Sequence, residues 1–256
     1  MRKVGVFLSI IALAIALPAS AQMAPKSMGQ IYVIKTKPSM SAQWEAGFKK
    51  LIDWSKQQNR PATYYCWSIL TGPRTGEYVL GTFGHDWKDF DAINTPNPDA
   101  GKIIQEDMAP YTESVRRSFW AYRGDLSGPP ANAGQTPTAF SAVITFFFKQ
   151  GTDMGSISDT IKQVRAAMKK SQWPGNPGSW YSLVNGGFEP TMAVVLGHPN
   201  WADFQPPDPS LGKMLGEVYG QEGAGAIFNK FYGSMRAVRS EIWAYRPELS
   251  YIAASQ

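Results

Sequence analysis

Cysteine and histidine are almost absent from this chain of 256 residues, which contains one cysteine, Cys66, and two histidines, His85 and His198. A single cysteine excludes an intramolecular disulfide and every zinc site that needs two or more thiolates. Because Cys66 lies inside an aromatic strand pattern, we interpret it as a buried small hydrophobe rather than a reactive thiol. The fold must therefore be stabilised by its hydrophobic core alone, for which the chain is long enough.

The local motifs of several common active sites are also missing. The sequence contains no Gly-x-Ser-x-Gly element and no glycine-rich phosphate loop after a predicted strand. Lysine and arginine total 25 against 20 aspartate and glutamate, and no basic run is longer than a pair. These absences argue against a serine hydrolase, a nucleotide-binding enzyme and a nucleic-acid-binding protein.

The longest apolar run lies at the start of the chain. It covers residues 4–17, follows the basic pair Arg2-Lys3, and precedes the small residues Ala19-Ser20-Ala21. This pattern predicts a secretory signal peptide at residues 1–21, cleaved after Ala21. The run is shorter than the ~20 residues that span a bilayer. We therefore expect a bacterial protein that is periplasmic or secreted and has no membrane anchor after cleavage.

An internal repeat organises the rest of the chain. Residues 120–127 read Trp-Ala-Tyr-Arg-Gly-Asp-Leu-Ser and residues 243–250 read Trp-Ala-Tyr-Arg-Pro-Glu-Leu-Ser, identical at six of eight positions. The segment from Gly84-His85 to Phe90 recurs from Gly197-His198 to Phe204, with one residue inserted. The predicted organisation is a first repeat at 22–127, a Pro/Gly linker at 128–137, a second repeat at 138–250 and a tail at 251–256.

Each repeat has the pattern strand–helix–strand–strand–helix–strand. In the first repeat the predicted strands cover 31–34, 63–70, 77–83 and 119–123, and a long helix is predicted over 99–116. This α+β order is that of the ferredoxin-like βαββαβ unit, an antiparallel sheet with both helices on one face. The other face of each sheet is left uncovered.

The uncovered faces are strongly aromatic. Large rings recur at i, i+2 spacing, so each set lies on one face of its strand. The rings that we predict to bind a ligand are Trp67, Tyr181, Trp120, Tyr122, Trp243 and Tyr245. Such faces must be buried, and we predict that the two sheets pack face to face within one chain. Packing between the sheets without a ligand is the alternative for these rings.

The repeated element order and the Gly-His-x(2–3)-Trp-x-Asp-Phe segment resemble the dimeric α+β barrel superfamily, which includes antibiotic-biosynthesis-monooxygenase-like, EthD-like and NIPSNAP-like proteins. The resemblance implies an intramolecular pseudo-dimeric barrel in a monomer. It covers nearly all of the chain after residue 21, and no single family's motif is matched. In haem-binding members of the superfamily the axial histidine lies on a helix, which the predicted placement of His85 and His198 does not match.

Three interpretations are open for the two histidines, which occupy equivalent positions after the third strand of each repeat. They orient the short helix that follows, they act as acid or base on a substrate, or they ligate haem or a metal. Isolated histidines make a poor metal site, so we expect no metal and no cofactor.

Each repeated Trp-Ala-Tyr-Arg segment closes its repeat with an arginine, and we call Arg123 and Arg246 the closing arginines. They precede Asp125 and Glu248, and they form either local salt bridges or an anion site.

Three functions follow from these observations. The leading hypothesis is an exported barrel that binds a small apolar or aromatic molecule between its sheets. The second is a cofactor-independent monooxygenase or isomerase that uses His85 or His198, and the third is a structural or interaction protein of the envelope without a small ligand. The residues leave open whether the chain is an enzyme.

Overall fold

The computed structural model describes residues 26–128 and 137–253. The predicted signal peptide and linker residues 129–136 lie outside the described residues. The strands are β1 (Met28–Thr36), β2 (Tyr65–Ile69), β3 (Tyr78–His85), β4 (Thr112–Tyr122), β5 (Phe140–Phe148), β6 (Ser179–Asn185), β7 (Thr191–His198) and β8 (Met235–Tyr245). The α-helices are α1 (Ser41–Gln57), α2 (Asp89–Ile93), α3 (Pro98–Ile103), α4 (Met154–Lys170) and α5 (Leu211–Gly233).

The eight strands form a closed antiparallel barrel in the order β1-β3-β2-β8-β5-β7-β6-β4. Each repeat contributes one four-stranded sheet, and the sheets join where β2 pairs with β8 and β4 pairs with β6. The prediction of two ferredoxin-like repeats packed face to face in one chain is confirmed. Because every neighbouring pair is antiparallel, β1, β2, β5 and β6 run in one direction and the other four run in the opposite one. Corresponding residues of the two repeats therefore lie at the same end of the barrel.

Helices cover the outside of each sheet. In the first repeat Trp44 is fully buried, and its ring stacks on Tyr78 of β3 with centroids 4.6 Å apart. In the second repeat Ile157 and Ile161 of α4 pack against the outer face of β5, including the buried Phe148. Burying each such side chain stabilises the fold by roughly 1.5–3 kcal/mol. The outer core is thus separate from the barrel interior.

The predicted helix over 99–116 is wrong over residues 112–116. The chain is helical only to Tyr111, through a π-helical turn at Ile104–Met108 and a 3-10 turn at Ala109–Tyr111. From Thr112 it is strand β4, which pairs with β1 over nearly its whole length. Pairing with a neighbouring strand supplies hydrogen bonds that outweigh a local helical preference, and sequence periodicity does not register that gain.

Helix α5 covers 23 residues, whereas α3, its counterpart in the first repeat, covers 6. Helix α5 is interrupted at Gly220, which has φ 74° and ψ 165° and so has no helical conformation. The segments on either side bury Met214, Leu215 and Ile227 in a cluster that includes Ala167 of α4. In the part of the chain that the structure describes, no helix is both long enough and apolar enough to cross a membrane. Of the predicted tail, Tyr251 is buried and bridges to Tyr64.

Candidate functional site

A cavity of about 1070 Å³ lies inside the barrel and opens to solvent. All eight strands contribute to its wall, because alternate residues of each strand point inward. A volume of this order is typical of small-molecule and cofactor sites. The interior between the two sheets is therefore hollow.

Five of the six aromatic residues singled out from the sequence line this cavity. These are Trp67, Trp120, Tyr122, Tyr181 and Trp243. Tyr245 does not line it but packs against Trp67, with ring centroids 6.1 Å apart. That these rings bind a ligand stays a prediction.

The polar atoms among these rings differ in their partners. Burial raises the pKa of Tyr181 to about 12, so this phenol is neutral at pH 7. The indole Nε1 of Trp120 donates to Ser118 Oγ at 2.9 Å. Trp67 Nε1 is buried and has no hydrogen-bond partner among residues 26–128 and 137–253. The aromatic wall thus contains a buried donor, Trp67 Nε1, that the described residues leave unused.

One end of the cavity carries charge. Three arginines, Arg74, Arg116 and Arg239, line the wall there, and we call this region the arginine end. Arg74 donates to both carboxylate oxygens of Glu241, from Nε to Oε1 at 2.8 Å and from Nη2 to Oε2 at 2.5 Å. Arg116 donates to the buried carboxylate of Glu77. The arginine end therefore combines three positive charges with two negative ones.

Glu241 is the most deeply buried of these groups, with only 1% of its side chain exposed. Burial by itself would raise the pKa of its carboxyl. The hydrogen bonds and charge of Arg74, with help from Trp243 and Arg239, outweigh that effect and hold the pKa below its usual value. Glu241 is consequently ionised at neutral pH, and its charge depends on the arginines around it.

The arginine end was not predicted from the sequence. A usable signal was present, because Arg116 and Arg239 each lie four residues before the tryptophan of the repeated segment. Residues four apart share a face of a strand, so both arginines point to the same side as Trp120 and Trp243. The incorrect helix prediction over 99–116 hid this relation.

His85 lies on the outer side of the sheet. Gly84, with φ 79°, forms a bulge at the end of β3 and interrupts the alternation of inward and outward side chains. As a result, His85 Nε2 lies 2.6 Å from Thr82 Oγ1 and the ring contacts the edge of Phe90. Burial lowers the pKa of His85, and nearby Asp89 only partly opposes this.

His198 also points away from the cavity. Its Nδ1 donates to Asp203 Oδ2 at 2.9 Å, and its ring stacks on Phe204 with centroids 4.0 Å apart. Each histidine therefore contacts the short helical segment that follows it. The structure brings neither imidazole to the cavity wall, which is where a base acting on a bound molecule would have to lie.

The closing arginines form local ion pairs. Arg123 donates to both carboxylate oxygens of Asp125, at 2.9 and 2.8 Å. Arg246 donates to Glu248 at 2.5 Å and also contacts Glu45 at 3.0 Å. Neither arginine lines the cavity. These contacts are those of local salt bridges, which was one of the two interpretations; the other was an anion site.

No protein-family model and no curated protein sequence matches the chain. Solved structures do resemble it. A monooxygenase-like protein from Lactobacillus acidophilus is 7% identical with a TM-score of 0.51, covering 90% of this chain and 97% of its own. A chlorite dismutase from Candidatus Nitrospira defluvii is 7% identical with a TM-score of 0.52, covering 88% of this chain and 94% of its own. At such identities the likeness concerns the fold.

The expectation of no cofactor is contradicted by these comparisons. The chlorite dismutases among these structures are haem proteins. Haem is therefore a group to test for this chain.

The residues of the barrel do not fit a histidine-ligated haem, because the chain's two histidines are both turned away from the cavity. Within the described ranges, no group of three or more His, Cys, Asp or Glu side chains is arranged to hold a metal ion. What the comparisons show is the fold, that of the dimeric α+β barrel proteins, with both halves in one polypeptide.

Proposed function

We propose that this protein binds a small apolar or aromatic molecule inside its barrel. The observation that carries the proposal is the cavity of about 1070 Å³ between the two sheets. Protein interiors are normally packed as densely as organic crystals, so a cavity of this size between two sheets is typical of a binding site rather than of a core. The proposal includes export of the mature chain, which is supported by the signal-peptide pattern at residues 1–21.

The wall of the cavity favours such a molecule chemically. Indole and phenol rings offer large, rigid surfaces for stacking, and their polar atoms can fix the orientation of a ligand. Tyr65, Trp67 and Phe83 provide three such surfaces in the first repeat, and Tyr181 and Trp243 provide two in the second. A ligand with a flat ring system would contact both repeats at once.

The test is a fluorescence titration with 1-pyrenebutanol, a neutral aromatic alcohol whose emission reports the polarity around the ring. We expect saturable binding and a pyrene spectrum typical of an apolar environment. Ala193 is buried and lines the cavity, so Ala193→Trp should reduce affinity at least tenfold by filling the site. Ala166→Trp, on the exposed face of α4, is the matched control and should bind normally. No saturable binding, or equal binding by Ala193→Trp, would overturn the proposal.

An enzymatic role is the second candidate, and the likeness of the fold to monooxygenase-like and chlorite dismutase structures favours it. In this chain the groups in contact with a bound molecule would be the phenols and guanidinium groups of the wall rather than the histidines. The protein should be incubated aerobically with an aromatic compound, and the compound should then be recovered and weighed by mass spectrometry. A protein that only binds the compound returns it unchanged, whereas an enzyme changes its mass.

Haem binding is tested by titrating the protein with haem and recording visible absorption spectra. The variants His85→Ala and His198→Ala are the controls for ligation by histidine.

A further inference from the structure

Arg239 differs from the other two arginines of the arginine end. The guanidinium of Arg74 is engaged by both oxygens of Glu241, and that of Arg116 is engaged by Glu77. Arg239 approaches Glu241 only through Nε, at 3.4 Å from Oε1. That Nε is buried and has no hydrogen-bond partner in the described part of the chain. Arg239 thus has donor capacity that the protein leaves unused.

The charges at this end do not balance. Three guanidinium groups face two carboxylates, which leaves one positive charge in excess on a wall that is otherwise largely apolar. Burial lowers the pKa of Arg239, and the nearby charge of Arg74 lowers it further, although a guanidinium remains charged at neutral pH. An anion placed against Arg239 would remove this imbalance.

A second unused donor lies deeper in the cavity. Trp67 is only 7% exposed, and its buried Nε1 has no partner in the described ranges. Its ring packs against Trp243, with centroids 6.3 Å apart. The indole Nε1 of Trp243 donates to Glu241 Oε2 at 3.1 Å, and Arg239 Nε lies 3.4 Å from Oε1 of the same carboxylate. Trp243 therefore connects the unused indole donor of Trp67 to the arginine end.

We propose that the arginine end binds the carboxylate of an aromatic or apolar acid whose body occupies the cavity. A guanidinium group presents its donors in a planar fork that matches a carboxylate. The apolar wall would contact the body of the molecule, and Trp67 Nε1 would donate to an acceptor further along it. This inference rests on the proposed function and specifies the chemical class of its ligand.

The test compares 1-pyrenebutyrate with 1-pyrenebutanol, which share a ring system and chain length and differ in charge. We expect the wild-type protein to bind the carboxylate on the order of tenfold more tightly, because hydrogen bonds between charged groups are stronger than those to a hydroxyl. Arg239→Gln should abolish this preference, because it should reduce the affinity for the carboxylate about tenfold. Arg236→Gln is the control, since Arg236 lies over Phe147 near the same end without lining the cavity, and it should retain the preference.

The outcomes separate the two proposals. If neither compound binds, the proposed function fails. If both bind with equal affinity to the wild-type protein, only the carboxylate site fails, and this comparison needs no variant to fold. A preference that survives Arg239→Gln, or that is lost equally in Arg236→Gln, would overturn the assignment to Arg239.

Discussion

The ion pair between Arg74 and Glu241 joins the two repeats, and its removal is the sharpest test of the energetics. Arg74 lies in the turn between β2 and β3 of the first repeat, whereas Glu241 lies on β8 of the second. Backbone pairing at the same junction includes the bond from Leu70 N to Ile242 O at 2.8 Å. We therefore expect the change Arg74→Met to weaken the junction between β2 and β8.

The size of the expected loss of stability follows from the burial of Glu241. Removing one partner of a buried ion pair costs about 3–5 kcal/mol, because the remaining charge stays desolvated. Arg239 lies 3.4 Å from Glu241 and compensates in part, so we expect a loss of about 3 kcal/mol in the free energy of unfolding. For a protein of this size that corresponds to a fall in Tm of roughly 6–12 °C.

The pH dependence of this loss has a defined sign. Glu241 has a folded-state pKa below its ordinary value of 4.5, so the pair stabilises the protein fully above about pH 4.5. That contribution is lost as the pH falls through the lowered folded-state pKa. The difference between wild type and Arg74→Met should therefore be large at pH 7 and shrink below pH ~4.

Urea denaturation at both pH values measures this difference. Lys35→Met provides the control, because Lys35 and Glu113 form an ion pair in which 47% and 41% of the side chains are exposed. Its cost should stay below about 1 kcal/mol. The reasoning is refuted if Arg74→Met costs no more than this control, or if its effect does not depend on pH.

Three further predictions concern other parts of the chain. His198→Ala should lower the free energy of unfolding by about 1–2 kcal/mol, through loss of the Asp203 hydrogen bond and the Phe204 stacking, with 1-pyrenebutanol affinity unchanged; lost binding at full stability would contradict this placement. Cys66 is fully buried and burial raises the pKa of its thiol, so iodoacetamide at pH 8 should alkylate it only in urea. Rapid alkylation of the folded protein would contradict this burial. Intact-mass analysis of the exported protein should give a chain that begins at Gln22, and a mass that retains residues 1–21 would exclude cleavage.

The fold could be predicted from the sequence because the same pattern of strands and helices occurs in both repeats. Trp120 and Tyr122 recur as Trp243 and Tyr245, and the spacing of such pairs identifies strand faces that need cover. A barrel is a direct way to cover two aromatic faces in one chain. The sequence could not predict that the interior is hollow, because the pattern of inward-facing residues is the same in a barrel with a cavity and in a barrel filled by side chains.

The arginine end shows why the site was harder to predict than the fold. Arg116 was assigned to a helix, and the partners of Arg74 and Arg239 depend on which strands of different repeats become neighbours. Glu241 and Arg74 are 167 positions apart in the sequence. No local pattern connects them, since the contact exists only after β2 and β8 have paired. The recurrence of the histidines left a structural and a chemical role open, and the bulge at Gly84 turns His85 away from the cavity.

The two junctions of the barrel are equivalent by position but not by residue. At the junction of β4 with β6, the positions corresponding to Arg74 and Glu241 are occupied by Phe188 and Ser118. In a homodimer every substitution appears twice, once on each side of the two-fold axis. A buried ion pair introduced there would place four charges around one cavity. With both halves in a single polypeptide, one junction can change while the other stays as it was, so a polar end and an asymmetric ligand are possible in a barrel built from two similar halves.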